Sequence, residues 1–249
     1  MLLPLGDLQV FPEIRILSQS LFRSMRFSSL AIALQLLTAD SAAQSTLRIV
    51  PEQACAGATV SVRYGPAPAF RPTPAETLVA EILAAGESSI VIDAPLRREG
   101  RSFVGSFRVP EDAQALFVRI AVGERVDDFD HGARYLPVHT LSSTPVLGAH
   151  RHRATAARQG GIHGFSQRRN IVQARTAINA ERTAFPGSMA TWSEHWEILE
   201  EEQSESATAV IQAELDSIFS LLSDRQEELV ALLPWFGRTG QSERREQAE

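Results

Sequence analysis

After Ser45 the chain alternates apolar and polar side chains in short runs, the spacing of half-buried β-strands. Val60, Val62 and Tyr64, for example, fall on one face of a run whose other face is polar. Glycine, proline and charged residues interrupt the pattern at intervals of roughly eight to twelve residues. We therefore expect an immunoglobulin-like antiparallel β-sandwich over residues 45–145. Its predicted strands are 46–50, 58–64, 77–84, 89–93, 101–109, 116–122 and 133–138.

From residue 165 the apolar spacing becomes that of α-helices. Ile171, Ala174 and Ile178 share one helical face, and Pro186 with Gly187 ends that helix. Asp224 followed by Glu227 predicts a capping box for the last helix. These signals predict a small, repeat-like antiparallel helical array. The other predicted faces are Trp192, Trp196 and Leu199; Ile211, Leu215, Ile218 and Leu222; and Leu229, Val230, Leu232 and Leu233.

The predicted fold class is therefore α+β, with the sandwich and the helices in separate units. Glycines and alternating His and Arg side chains predict an irregular linker between the two. The expected divisions are an N-terminal extension with a signal peptide at 1–44, the sandwich at 45–145, the linker at 146–164, the helical domain at 165–240 and a polar tail at 241–249.

Residues 25–44 have the pattern of a secretory signal peptide, with one positive charge, an apolar stretch at Leu30–Leu37 and then small residues. The stretch is much shorter than the roughly 20 residues that cross a bilayer as a helix. We expect cleavage near Ala43 or Gln44, a secreted or periplasmic protein, and no stable membrane anchor after cleavage. The acidic residues before Met25 fit no part of a signal, which favours Met25 over Met1 as the start. The alternative is that residues 10–37 form a buried amphipathic element.

Composition excludes several classes of protein. The chain has 24 basic and 30 acidic residues and a net charge of -6, so no broad cationic surface exists for a nucleic-acid backbone. Every basic residue is arginine, which excludes Schiff-base lysines and the lysine of phosphate-binding loops. With Cys55 as the one cysteine, there is no intrachain disulfide, Cys-x-x-Cys pair or multi-cysteine zinc site.

Two groups of residues are candidate metal ligands. Asp127, Asp128, Asp130 and His131 lie close together, but the spacing of a calcium loop is not met and a solvated hairpin loop is the better interpretation. Three histidines lie in the linker beside arginines, whose positive charge disfavours a cation. We expect no metal site and no cofactor. The three histidines are His150, His152 and His163.

The predicted helical region has an uneven charge distribution. Residues 150–189 contain seven Arg and one Glu, whereas residues 190–249 contain four Arg and fourteen acids. Opposed charges either dock the helices on each other or dock a partner. Trp192 and Trp196 at helical spacing favour a core position. The candidate partner surface consists of Trp192, Trp196, Glu200, Glu201 and Glu202.

The stretch from Phe117 to Val138, followed by Thr144-Pro-Val-Leu-Gly-Ala149, resembles the end of the amino-terminal sandwich domain of secreted bacterial thioredoxin-like proteins. Leu47–Pro51 and Ala56–Tyr64 resemble the first two strands of that domain. The resemblance covers roughly residues 46 to 240 and implies a sandwich, then a helical region, then a thioredoxin domain with Cys-x-x-Cys. The chain contains no Cys-x-x-Cys, so no catalytic residue carries over.

The predicted function is that of an exported, non-catalytic binding or scaffolding module of the bacterial cell envelope. Its expected partner is another envelope protein or a C-terminal domain that this chain lacks. The alternative is the truncated N-terminal part of a thioredoxin-like thiol-disulfide oxidoreductase. A hydrolase is disfavoured, because neither Gly-x-Ser-x-Gly nor His-Glu-x-x-His occurs.

Overall fold

The alternating segment forms one mixed β-sheet of nine strands in the computed structural model, which describes residues 44–129, 132–202, 206–222 and 229–248. Its strands run in the order β1-β3-β6-β5-β4-β7-β9-β2, and β8 pairs with β7. All pairs are antiparallel except β2 with β9. The strands are β1 (Thr46–Val50), β2 (Ala54–Cys55), β3 (Thr59–Gly65), β4 (Leu78–Gly86), β5 (Ile90–Glu99), β6 (Ser102–Arg108), β7 (Ala113–Val122), β8 (Arg125–Asp127) and β9 (Arg134–His139).

This sheet curls into a nearly closed barrel, so the prediction of an immunoglobulin-like sandwich followed by a separate helical domain was wrong. A sandwich needs two sheets, but β5 joins both halves into one. Residues 90–96 of β5 pair with β4, and residues 97–99 pair with β6. The two end strands, β1 and β2, are separated by residues 51–53 alone, which brings the ends of the sheet together.

The length of β5 explains the difference from the prediction. We expected that strand to end at Asp93, because Pro95 and the charged residues after it have the composition of a turn. The strand continues through them to Glu99. Gly105 on β6 makes this possible, because a Cβ there would lie 2.7 Å from the Pro95 carbonyl oxygen and 2.7 Å from Leu96 Cδ2. The absence of a side chain therefore lets β5 and β6 approach where the sheet bends.

The main core lies inside the barrel, where alternate side chains of every long strand meet. Val62, Ile82 and Val118 are among its fully buried members. Strands β4 and β7 also bury their outer faces, on which Leu83 and Phe117 pack against helix and hairpin residues. These two strands lie in the middle of the sheet and are covered on both sides.

The cover on β4 and β7 is the segment that we expected to be an irregular linker. Residues 149–159 form a helix, α1, in which alanines face inward, so that expectation was wrong. Gly148 precedes this helix and Gly160 follows it. Both have left-handed backbone conformations, with φ angles of 91° and 79°. A short hairpin follows, with strands β10 (Gly161–Ile162) and β11 (Phe165–Ser166).

The helical spacing correctly predicted the helices at residues 171–184, 189–201 and 207–222. The last two described helices begin at Leu233, the last residue of the predicted face at 229–233, and at Ser242, inside the predicted polar tail. Helix α2 ends before Pro186, and α3 starts after Ser188. The predicted capping box lies outside the described residues, as does the segment 1–43 that contains most of the predicted signal. The helices are α1 (Ala149–Gln159), α2 (Ile171–Ala184), α3 (Met189–Glu201), α4 (Ala207–Leu222), α5 (Leu233–Thr239) and α6 (Ser242–Ala248).

Two apolar clusters hold the helices together. Ala154 and Ala157 of α1 pack on α2 around Ile178, because alanine lets two helix backbones approach closely. The second cluster joins α3, α4 and α5 around Trp196. In the described part of the chain, no helix has the length and apolar character needed to cross a membrane.

Candidate functional site

The single cysteine, Cys55, occupies a half-buried position at the end of β2. Its Sγ lies 3.7 Å from the Thr140 carbonyl oxygen and donates a weak hydrogen bond to it. The pairing of β2 with β9 sets Cys55 opposite His139, whose Nδ1 has no hydrogen-bond partner among the described residues. Sequence reasoning missed this neighbour, because sheet pairing alone brings the two residues together.

Asp127, the first of the clustered acids, is a structural side chain of the barrel. It is 2% exposed, which contradicts the solvated loop that we expected at this residue. Its carboxylate accepts hydrogen bonds from the Tyr64 hydroxyl at 2.7 Å and from the Phe129 N–H at 3.0 Å. Burial, with the neighbouring Asp127, raises the pKa of Tyr64. Asp130 and His131 lie outside the described residues.

The three histidines of the predicted linker do not form a metal site. No group of three metal-ligating side chains occurs in the ranges that the structure covers. His152 is buried against the sheet, and its Nε2 lies 3.0 Å from Gln114 Oε1. Burial, and then the charges of Arg151 and His163, lower its pKa to about 4. His152 is therefore neutral at pH 7.

Acidification is expected to destabilise the protein through His152. The folded pKa lies below the unfolded value of 6.5, so the unfolded chain binds this proton more tightly. The stability is therefore complete above the unfolded pKa and is lost as the pH falls toward the folded one. We expect a loss of about 3 kcal/mol between pH 7 and pH 4, measured by urea denaturation as the difference between wild type and His152→Gln. An equal pH dependence of the free energy of unfolding in both proteins would contradict the lowered pKa of His152.

Opposed charges on neighbouring helices pair within the chain. Arg158 of α1 donates to Glu194 of α3 at 2.8 Å, to Glu201 at 2.8 Å and also to Glu197. Only 11% of the Arg158 side chain and 9% of the Glu194 side chain are exposed. We call these four residues the arginine–glutamate clamp. The uneven charge distribution of the sequence was the signal for it, and it docks α3 on α1.

A second buried carboxylate anchors the start of α1. Glu181 on α2 is fully buried and accepts hydrogen bonds from the Gly148 N–H and, at 2.9 Å, from the His150 N–H. The first N–H groups of a helix have no partner within it and carry partial positive charge, so a carboxylate satisfies them. Glu181 thus ties α2 to α1. Sequence spacing held no signal for this contact.

The two tryptophans of the candidate partner surface have different environments. Trp196 is fully buried, with its ring centroid 5.1 Å from that of Trp235 and 5.9 Å from that of Trp192. Trp192 is half-buried, and the Arg182 guanidinium lies 4.0 Å from its ring centroid. Trp196 is therefore a core residue, as its helical spacing favoured, and Trp192 retains an accessible part.

The acids of the candidate partner surface all form ion pairs with arginines of the same chain. Burial by itself raises the pKa of Glu201, but hydrogen bonds from Arg158 and Arg169 outweigh it and lower the pKa. Contact with a partner at these residues stays a prediction. The pairs are Glu200–Arg238, Glu201–Arg158, Glu201–Arg169 and Glu202–Arg175.

A polar cluster links α2, α3 and α4 beside Trp196. The Trp196 indole N–H donates to Glu214 at 2.9 Å, and Arg182 donates to Glu214 at 3.1 Å. His195 Nε2 lies 2.8 Å from the Arg182 guanidinium and 3.2 Å from the Glu214 carboxylate. Burial tends to raise the pKa of Glu214, but its hydrogen-bonding neighbours and the Arg182 charge hold that pKa below its usual range. The cluster positions the helices.

A cavity on the outer face of the barrel is lined by three arginines that have no ion-pair partner among the described residues. The cavity has a volume of about 530 Å³ and lies between β9, α1 and the segment that leads into α2. Arg134, Arg153 and Arg168 line it, and its described lining contains no acidic side chain. We call it the arginine cavity. Sequence reasoning missed it, because its arginines come from three different segments.

No protein-family model matches the chain, and no curated protein matches it.

Proposed function

We propose that this protein is an exported, non-catalytic binding or scaffolding module of the bacterial cell envelope. The observation that carries the proposal is the arginine–glutamate clamp. It uses the most buried charged side chains of α1 and α3 to hold the helical layer, which itself covers the outer face of β4 and β7. A rigid body of this kind suits a module that presents a surface or holds a neighbour at a fixed distance.

The other buried polar groups support the same proposal. Glu181 bonds to the start of α1, and Asp127 bonds to Tyr64 and to the Phe129 backbone. Catalytic acids and bases must reach a substrate proton, whereas these carboxylates accept hydrogen bonds from groups of the protein itself. The signal-like segment at 25–44 supports export.

The first test is the mass of the protein and the sequence of its terminal peptides after isolation from the envelope fraction of its own cells. We expect a chain that begins near Ser45. Peptides from Leu30–Leu37 in the mature protein would contradict export. Peptides beyond Glu249 that include Cys-x-x-Cys would instead support the N-terminal part of a thiol-disulfide oxidoreductase.

The second test addresses catalysis directly. We expect the wild-type protein and a Cys55→Ser variant to reduce a disulfide substrate at the same background rate, because one half-buried thiol has no resolving partner in the chain. Cys55→Ser is a matched control, since it removes only the sulfur. A rate above background that depends on Cys55 would contradict a non-catalytic module.

A further inference from the structure

The arginine cavity has the dimensions and the wall chemistry of a small-molecule site. Its volume of about 530 Å³ lies within the range of roughly 300–1,000 Å³ that such sites occupy. Phe129 and Tyr135, both half-buried, supply an apolar wall. The side-chain amides of Gln167, Asn170 and Gln173 supply polar groups around the arginines.

The three arginines of the cavity differ from four other arginines of α1, α2 and the segment between them. Arg158, Arg169, Arg175 and Arg182 each form an ion pair with a glutamate. Arg134, Arg153 and Arg168 form no ion pair with any residue in the described ranges. Three positive charges therefore converge on one concave surface without a counter-charge among the described lining, and a concave wall concentrates their field.

Contacts within the protein hold the Arg153 side chain in position without a ligand. Its guanidinium carbon lies 5.1 Å from the centroid of the Tyr135 ring. That ring is held by its hydroxyl, which donates to the Ala149 carbonyl at 3.0 Å, and by Phe117 at 5.5 Å between centroids. A guanidinium stacked on a fixed ring loses little conformational entropy when a ligand binds. Its N–H groups can therefore donate hydrogen bonds at low entropic cost.

The rim of the cavity is also held in place. The Gln167 side chain donates to the Ala133 carbonyl. The Asn170 side chain accepts from the Gln173 N–H at 3.0 Å and so caps α2. The segment 167–170 is thereby tied to the residue before β9 at one end and to the first turn of α2 at the other.

We propose that the arginine cavity binds a small aromatic phosphomonoester. A phosphate monoester carries a charge of about -1.5 to -2 at neutral pH, which matches three guanidinium groups better than a single carboxylate does. Arginine binds phosphate oxygens in bidentate geometry. The aromatic part of the ligand packs against Phe129 and against the part of Tyr135 that Arg153 and Phe117 leave exposed. This site is additional to the proposed module function and does not depend on it.

Isothermal titration calorimetry with phenyl phosphate, inorganic phosphate and benzoate tests the proposal on the full chain. We expect phenyl phosphate to bind with 1:1 stoichiometry and to bind at least about tenfold more tightly than either other probe. Its affinity is expected to fall with added salt. Absence of saturable phenyl phosphate binding up to roughly 10 mM would overturn the proposal. Equal affinity for inorganic phosphate would overturn the aromatic assignment.

Variants of the cavity arginines test whether phenyl phosphate binds in the arginine cavity. Arg153→Gln and Arg168→Gln are each expected to weaken phenyl phosphate binding by about tenfold. Arg168 is exposed and forms no ion pair with a described residue, so its variant keeps the test valid if Arg153→Gln unfolds. Arg97→Gln is the matched control, because Arg97 is an exposed arginine of β5 outside the cavity, and we expect its affinity to be unchanged. An equal loss in Arg97→Gln would show non-specific attraction and overturn the site. Loss of phosphate binding in these titrations would leave the disulfide-exchange test of the module function unaffected.

Discussion

Replacing Trp196 by alanine is expected to lower the free energy of unfolding by about 3–5 kcal/mol, which is a large share of the stability of a domain of this size. The side chain is fully buried between the rings of Trp192 and Trp235. Alanine leaves a cavity at the centre of the cluster that joins α3, α4 and α5. It also removes the indole N–H that donates to Glu214. Urea denaturation followed by circular dichroism measures the change.

Trp192→Ala is the matched control for this variant. The same atoms are removed from the same helix, but Trp192 is half-buried, so we expect a loss of about 1–2 kcal/mol. A loss of less than about 1 kcal/mol in Trp196→Ala would contradict a shared core between the three helices.

Replacing Arg158 by alanine is expected to cost about 3–5 kcal/mol, because the buried carboxylate of Glu194 is left without its countercharge. Most of this cost is the desolvation of Glu194, which bonding to Arg158 offsets in the wild type. Denaturation at neutral pH measures it. The pKa of Glu201, followed by NMR, is expected to rise in the same variant, since Arg158 is one of the two arginines that lower it.

Two further variants separate desolvation from simple loss of an ion pair. Arg175→Ala removes an ion pair with Glu202 in which 49% of the arginine side chain is exposed, and we expect a loss below about 1 kcal/mol. The double variant Arg158→Met with Glu194→Met is expected to recover much of the stability lost in Arg158→Ala, because no buried charge is left without a partner. Equal losses in Arg158→Ala and Arg175→Ala would contradict a buried clamp.

Local pattern was sufficient to locate the longer strands and helices α2, α3 and α4. The period of two placed the strand at 46–50, and the helical spacing together with Pro186 placed the end of α2. Sheet closure was not predictable in the same way, because it depends on β5 continuing through Pro95. That residue has the local chemistry of a turn, and pairing with β4 and β6 overrides it.

The linker was mispredicted for a related reason. Gly160, Gly161 and Gly164 indicated irregular chain, although Gly160 ends α1 in a left-handed conformation and Gly161 belongs to the hairpin that follows. Charge asymmetry did indicate docking between segments, which the arginine–glutamate clamp confirms within the chain. The arginine cavity could not be predicted, because Arg134 and Arg153 meet only after α1 packs on β9.

The closing of the sheet affects how other proteins can recognise this one. An open sheet offers a row of unpaired amide and carbonyl groups to which a foreign strand can add. Here the outermost strands, β1 and β2, are joined by residues 51–53, so the two borders of the sheet lie beside each other instead of lining an open side. Addition of a foreign strand at these borders is therefore disfavoured, which favours recognition through side chains, which vary with sequence, over recognition through the peptide backbone, which is the same in every protein. The same geometry also hinders the strand-by-strand stacking through which unrelated β-proteins aggregate.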